Sequence, residues 1–176
     1  MSILNKYLAL TFLFTVSVSA VGLEAGDRAP AFNLQGSDGN TYSLDQFIGK
    51  QAIVIAWYPK AFTSGCTIEC KSLAEKGHLL KEYDVTYFMA SVDSFEKNSA
   101  FAESSDADFP LLSDPSREVA KAYEVLAFYG FPKRHTFYIG KEGKILMVDR
   151  SINPSTSAED MAANLGRLGV AKRDAS

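Results

Sequence analysis

Cysteine is scarce in this chain, with two thiols, Cys66 and Cys70, in 176 residues. Two are too few for the disulfide scaffold that holds many small exported proteins together, so the fold must rest on apolar burial. Histidine is as scarce: only His78 and His135 are present. A C-x3-C pair with two scattered imidazoles is a weak match to the ligand spacings of structural zinc sites, and no metal or cofactor is expected. Base is not in excess either: 18 Lys and Arg stand against 21 Asp and Glu, for a formal charge of −3. That balance gives no electrostatic footprint for nucleic acid. Internal repeats, low-complexity stretches and blocks of like charge are missing too.

What is present is an ordinary globular balance, 47% apolar and 22% charged. The first twenty residues differ from the rest. Lys6 is followed by "YLALTFLFTVSVSA", an apolar run that ends in small residues, with Val18 and Ala20 at the −3 and −1 positions of a cleavage site. This is the layout of a secretory signal peptide over residues 1–20. Its uninterrupted apolar part is shorter than the ~20 residues of a spanning helix, and no cysteine near its end marks a lipid anchor. The expectation is an exported protein, placed in a bacterial periplasm, with no stable membrane association once the signal is removed. Residues 21–176 then form a single domain with one core.

Along that domain, "AFNLQGSDGNTYSL" reads as a β-hairpin about the turn Ser37–Asn40. "QAIVIAWY" (Gln51–Tyr58) is a continuous β-branched run, expected of a strand buried on both faces, and Pro59 ends it. A helix follows from Cys66, with Thr63 or Ser64 as cap and apolar positions at Ile68, Leu73, Leu79, Leu80 and Tyr83. "VTYFMASV" (Val85–Val92) is a second central strand. "SFEKNSAFAESS" and "DPSREVAKAYEV" read as helices, the latter with Asp114 as N-cap and Pro115 at its first position. "HTFYIG" and "KILMVDR" make a second hairpin, and "STSAEDMAANLGRLG" is a helix capped by Ser155 or Thr156 and stopped at Gly169. Alternating strands and helices with antiparallel additions predict an α/β fold, a mixed sheet flanked by helices. Ligands in such sheets sit beyond the carboxyl ends of the central strands, where Pro59–Gly65 lies.

The stretch "YPKAFTSGCTIEC" (Tyr58–Cys70) therefore falls where a site is expected. Cys66 is placed in the first turn of a helix directly after a strand, where unpaired N–H groups and the helix dipole favour negative charge. That is the setting of a reactive thiol. Cys70 lies one turn further on, about 6 Å along the axis at ~1.5 Å per residue. A bridge between the two needs that turn to unwind, and a small apolar packing role for Cys70 is the competing reading.

Pro59-x-x-x-Thr63-x-x-Cys66 resembles the P-x-x-x-T-x-x-C motif of the peroxiredoxins, the thiol peroxidases of the thioredoxin-like superfamily. The context "YPKAFTSGCT" is most similar to the bacterioferritin-comigratory, or peroxiredoxin Q, branch. "GDRAPAFNLQGSDGNTYSL" and "PKRHTFYIGKEGKI" resemble that family's opening and late strand, so the likeness runs from about Gly26 to Met161. The resemblance implies a thioredoxin-like fold with an N-terminal hairpin, a peroxide substrate and no cofactor. It assigns Cys66 as the nucleophile that becomes a sulfenic acid, Thr63 and Arg134 as groups bonding thiolate and peroxide, and Pro59 as the cover that restricts water. Arg134 is singled out from Lys133 and Arg150 only by the likeness of "RHTFYI" to the family's late strand. Cys70 is the resolving thiol on this reading, although C-x3-C is one residue shorter than the branch's usual C-x4-C. The resulting disulfide implies a thioredoxin-like or low-molecular-weight thiol reductant, acting on a monomer or weak dimer.

A second reading belongs to another class. Exported copper chaperones of the Sco type also carry C-x3-C and a distant histidine, which would make Cys66, Cys70 and His135 ligands. Two features oppose it: Thr67 and Lys71, not prolines, follow the cysteines, and a binding module has no use for Thr63 or Arg134. Trp57, Phe62, Phe128, Tyr129 and Phe131 are candidates to wall either site, or plain core.

Overall fold

The computed structural model describes residues 22–173; the signal-peptide reading of residues 1–20 lies outside them. The strands are β1 (Asn33–Gly36), β2 (Thr41–Ser43), β3 (Ala52–Trp57), β4 (Val85–Ser91), β5 (Leu111–Ser113), β6 (His135–Ile139) and β7 (Ile145–Asp149). They form a single sheet in the order β2-β1-β5-β4-β3-β6-β7. β3, β4 and β5 are parallel to one another, while β6 runs antiparallel to β3 and the two hairpins extend the sheet at its ends. Every residue of β3 is buried, as its unbroken apolar run requires. Val54, Ala56 and Tyr58 enter one core, and Ile53, Ile55 and Trp57 enter the other.

The helices are α1 (Ser64–Lys76), α2 (His78–Lys81), α3 (Phe95–Ser104), α4 (Glu118–Ala122) and α5 (Ser157–Arg167). α1, α3 and α5 supply Leu73, Phe101 and Leu165 to the first core; α4 and the segment around Phe32 cover the other face. α5 ends as expected, with Gly169 at a left-handed φ of +70° just beyond it.

Three expectations need correction. β5 has no counterpart among the expected strands; at three residues it is too short to show alternation, yet it joins the first hairpin to the central strands. α4 does not begin at Pro115. Its N-cap is Arg117, in the left-handed region at φ 65°, and the buried carboxylate of Asp114 instead accepts from Ala120 N (2.8 Å) and Ser116 Oγ (2.7 Å), spanning the turn before the helix. The buried stripe of α1 is Cys66, Glu69, Cys70 and Leu73, whereas Ile68 is exposed. That stripe has helical spacing, but a carboxylate takes one of its positions, so an apolar pattern cannot reveal it.

Candidate active site

β3 delivers the chain to Tyr58, and α1 begins after five intervening residues. The turn between them is made at Phe62, whose φ of +66° is uncommon for a bulky residue. Such a conformation persists only where the surroundings fix it. Thr63 is the N-cap residue in extended geometry, but its hydroxyl does not cap the helix. It donates to the Lys60 carbonyl at 2.9 Å, closing the loop on itself.

Cys66 lies in the first turn of α1 and is 1% exposed. Arg134, immediately before β6, donates from Nη2 to Cys66 Sγ at 3.1 Å. Its Nη1 makes an ion pair with Glu69, one turn further along α1. Ser157 Oγ, at the start of α5, donates to the other carboxylate oxygen at 3.4 Å. Burial pushes the Glu69 carboxyl up, and the Arg134 charge only partly offsets this. Burial opposes the charge on Arg134, but Glu69 and Cys66 outweigh it and leave the guanidinium held above its ordinary value. The fork is thus shared between a buried carboxylate and a sulfur, a geometry that the planar guanidinium suits and an ammonium does not.

Residues 25–148 match the model of the AhpC/TSA family. The chain is 37% identical over 130 residues to the peroxiredoxin Bcp of Escherichia coli, covering 70% of this chain and 83% of that protein. It is 34% identical over 137 residues to peroxiredoxin Bcp of Bacillus subtilis, covering 74% and 87%. Among solved structures, peroxidoxin BcpB of Mycobacterium tuberculosis superposes with a TM-score of 0.74 at 28% identity, over 82% of this chain and 97% of that one. The chain belongs to the AhpC/TSA family. It is a peroxiredoxin with the thioredoxin-like α/β fold, allied to the bacterioferritin-comigratory branch.

In this peroxiredoxin Cys70 is a free thiol with no exposed surface. Burial pushes it up to about 12, only partly countered by the Ser105 hydroxyl. His135 is not brought to the cysteines. It pairs with Trp57 across β3 and β6 and lines a cleft with Tyr123 and Phe137, on the face opposite Cys66. The Cys66–Cys70–His135 copper constellation is therefore not assembled. Trp57 likewise belongs to the opposite core. Phe131 is half-buried beneath Lys60 Nζ at 5.4 Å; Phe62, Phe128 and Tyr129 are exposed near this end of the sheet and do not enclose the thiol. Pro59 is half-buried beside the loop.

Sequence reasoning missed Glu69, though an acidic residue three positions after Cys66 was the available signal: i and i+3 share a helix face. It also missed Gly65. A Cβ there would stand 3.3 Å from Arg134 Nη2, so the glycine lets the guanidinium approach α1 closely. Gly65→Ala is expected to displace that nitrogen by a few tenths of an ångström and slow peroxide consumption by up to about tenfold, the equivalent of ~1.4 kcal/mol. Initial-rate measurements check it; an unchanged rate would show that the close approach does not matter.

Proposed function

We propose that this peroxiredoxin reduces hydrogen peroxide or an organic hydroperoxide through Cys66 and is recycled by way of Cys70. The observation that carries this reading is the 3.1 Å contact from Arg134 to Cys66 Sγ in a water-poor site. A guanidinium keeps its charge at any working pH, so it is in place for the negative charge that develops on the departing oxygen. The thiolate attacks one peroxide oxygen, the O–O bond breaks, and the other oxygen leaves as water or alcohol after taking a proton. Cys66 is left as a sulfenic acid. Thr63 supports the approach: with its own proton on Lys60 O, its lone pairs are free to accept the peroxide O–H. Pro59 shields the loop from water.

Resolution by Cys70 converts the sulfenic acid and a thiol into a disulfide and water. In the intact helix Cys70 is a poor nucleophile, since its thiol is held near 12. Unwinding the start of α1 serves two ends: it brings the sulfurs within bonding reach and returns Cys70 to solvent, where thiols ionise more easily. The helix start is suited to this, because the N-cap side chain makes no capping bond to it and Gly65 and exposed Ile68 lie in its first turns. A thioredoxin-like protein or a small thiol then reduces the disulfide. The leader-like residues 1–20 support export to a periplasm, which requires a reductant present there. This reading uses no metal or other cofactor, and one chain, alone or in a weak dimer, supplies every group except the external thiol reductant.

The test is the second-order rate of peroxide loss with a small-thiol reductant, using hydrogen peroxide and an aromatic hydroperoxide in parallel. Thr63→Val, which keeps the shape and removes the hydroxyl, is expected to be slower by about 2–10-fold, the loss of one neutral hydrogen bond worth ~0.5–1.5 kcal/mol. An unchanged rate would remove Thr63 from the reaction.

A further inference from the structure

α1 holds the Thr63 carbonyl, which accepts from Thr67 N at 2.9 Å and Thr67 Oγ1 at 3.0 Å, but the left-handed turn at Phe62 ahead of it needs a restraint of its own. The restraint comes from a buried polar network on the far side of the loop. Asp93, two residues beyond β4, accepts a hydrogen bond from Ala61 N through Oδ2 at 2.8 Å. Its own amide donates to Ser91 Oγ at 3.1 Å. Ser91 Oγ lies 3.3 Å from Asp93 Oδ2 and 3.1 Å from Asn98 Oδ1, with one proton to give. Asn98 Oδ1 also accepts from Tyr58 OH at 2.7 Å, and its amide donates to Leu112 O (3.1 Å) and Ser113 Oγ (2.9 Å) in β5. Lys97 forms an ion pair with Asp93 Oδ1.

The loop is therefore pinned at two points, the Tyr58 hydroxyl and the Ala61 amide. Pro59 and the Lys60 carbonyl that receives the Thr63 hydroxyl lie between them. Ala61 directly precedes the strained Phe62. Ser91 and Asn98 are fully buried, and each of their polar groups has a partner, so the network has one arrangement and transmits it. None of its bonds reaches Cys66 Sγ.

We infer that Asp93 is a positioning residue for peroxide reduction: by holding the Ala61 amide it fixes the Phe62 turn and thereby sets the direction of the Thr63 hydroxyl at the head of α1. The inference rests on the roles proposed above for Cys66 and Thr63. Its effect should fall on reaction with peroxide, which needs an oriented substrate, and not on simple alkylation of the thiol.

The experiment compares the reduced parent protein with Asp93→Ala, Asp93→Asn and Lys97→Met. Two rates are measured for Cys66, with hydrogen peroxide and with iodoacetamide, and thermal unfolding confirms that each variant is folded. Asp93→Ala is expected to lose about 2–10-fold with peroxide, the scale set by the Thr63 hydroxyl through which it acts, with alkylation not slowed. Asp93→Asn keeps an oxygen for Ala61 N and is expected to recover most of that loss; Lys97→Met is expected to behave as the parent. An unchanged peroxide rate in Asp93→Ala, a parallel fall in both reactions, an Asn variant as impaired as Ala, or a Lys97→Met variant as impaired would each overturn the inference. Failure of the parent itself to consume peroxide would instead overturn the proposed function.

Discussion

Cys66→Ser is expected to reduce peroxide consumption to the background of the added reductant while leaving the protein folded. The substitution changes one atom in a buried position, and a hydroxyl is not ionised near neutral pH. The Arg134–Glu69 pair that surrounds it is retained, so no buried charge is orphaned. The remaining thiol cannot take over: Cys70 has no exposed surface and is held near 12 by burial. Cys70→Ser should behave differently, consuming its first equivalent of peroxide at the parental rate and stalling afterwards. Single-turnover and steady-state assays separate the two. Parental turnover in Cys66→Ser would show that the nucleophile lies elsewhere.

Arg134→Met is expected to have two consequences, one for rate and one for stability. Removing the donor to Cys66 Sγ takes away the charge that stabilises the leaving oxygen, a loss of about 10²–10³-fold by analogy with single oxyanion donors. It also strands Glu69, which is fully buried and has only a 3.4 Å bond from Ser157 besides the guanidinium. An uncompensated buried carboxylate costs about 3–5 kcal/mol if it stays charged. Burial already raises the Glu69 carboxyl with the arginine present, and without it the carboxyl rises further. A group whose folded value lies above its unfolded value near 4.3 gives stability that is present at low pH and lost as pH rises through the folded value. The melting temperature of Arg134→Met should therefore fall as pH rises above the ordinary carboxylate range, measured against the parent at each pH. The double variant Arg134→Met/Glu69→Gln should recover stability at pH 8 without recovering rate. If it recovered both, the arginine would matter only for folding.

Much of this was legible before any coordinates. The all-apolar β3, the two hairpins and the loop from Pro59 to Cys66 follow from runs, turns and breakers that are local in sequence. The residues that were missed depend on distant partners. Glu69 meets Arg134 65 positions away, and Asp93 meets Ala61 32 positions away. Spacing could place Glu69 on the Cys66 face of α1, but nothing local in either stretch names its distant partner. Arg134 and His135 show how fine the distinction is. One step along an extended chain sends the first side chain to the cysteine face and the second to the opposite one, and only the family likeness pointed to the neighbour that reaches Cys66. Ile68 misled for the converse reason: α1 buries a carboxylate where an apolar residue was expected and leaves the isoleucine outside.

The central claim is that Cys66 takes oxygen from peroxide and Cys70 resolves it. Intact mass and peptide mapping of the reduced protein after one equivalent of hydrogen peroxide test it most directly. The account predicts a loss of two hydrogens and a Cys66–Cys70 cross-linked peptide. A lasting gain of one oxygen on Cys66 would contradict resolution by Cys70, and no change in mass would contradict the peroxidase chemistry itself.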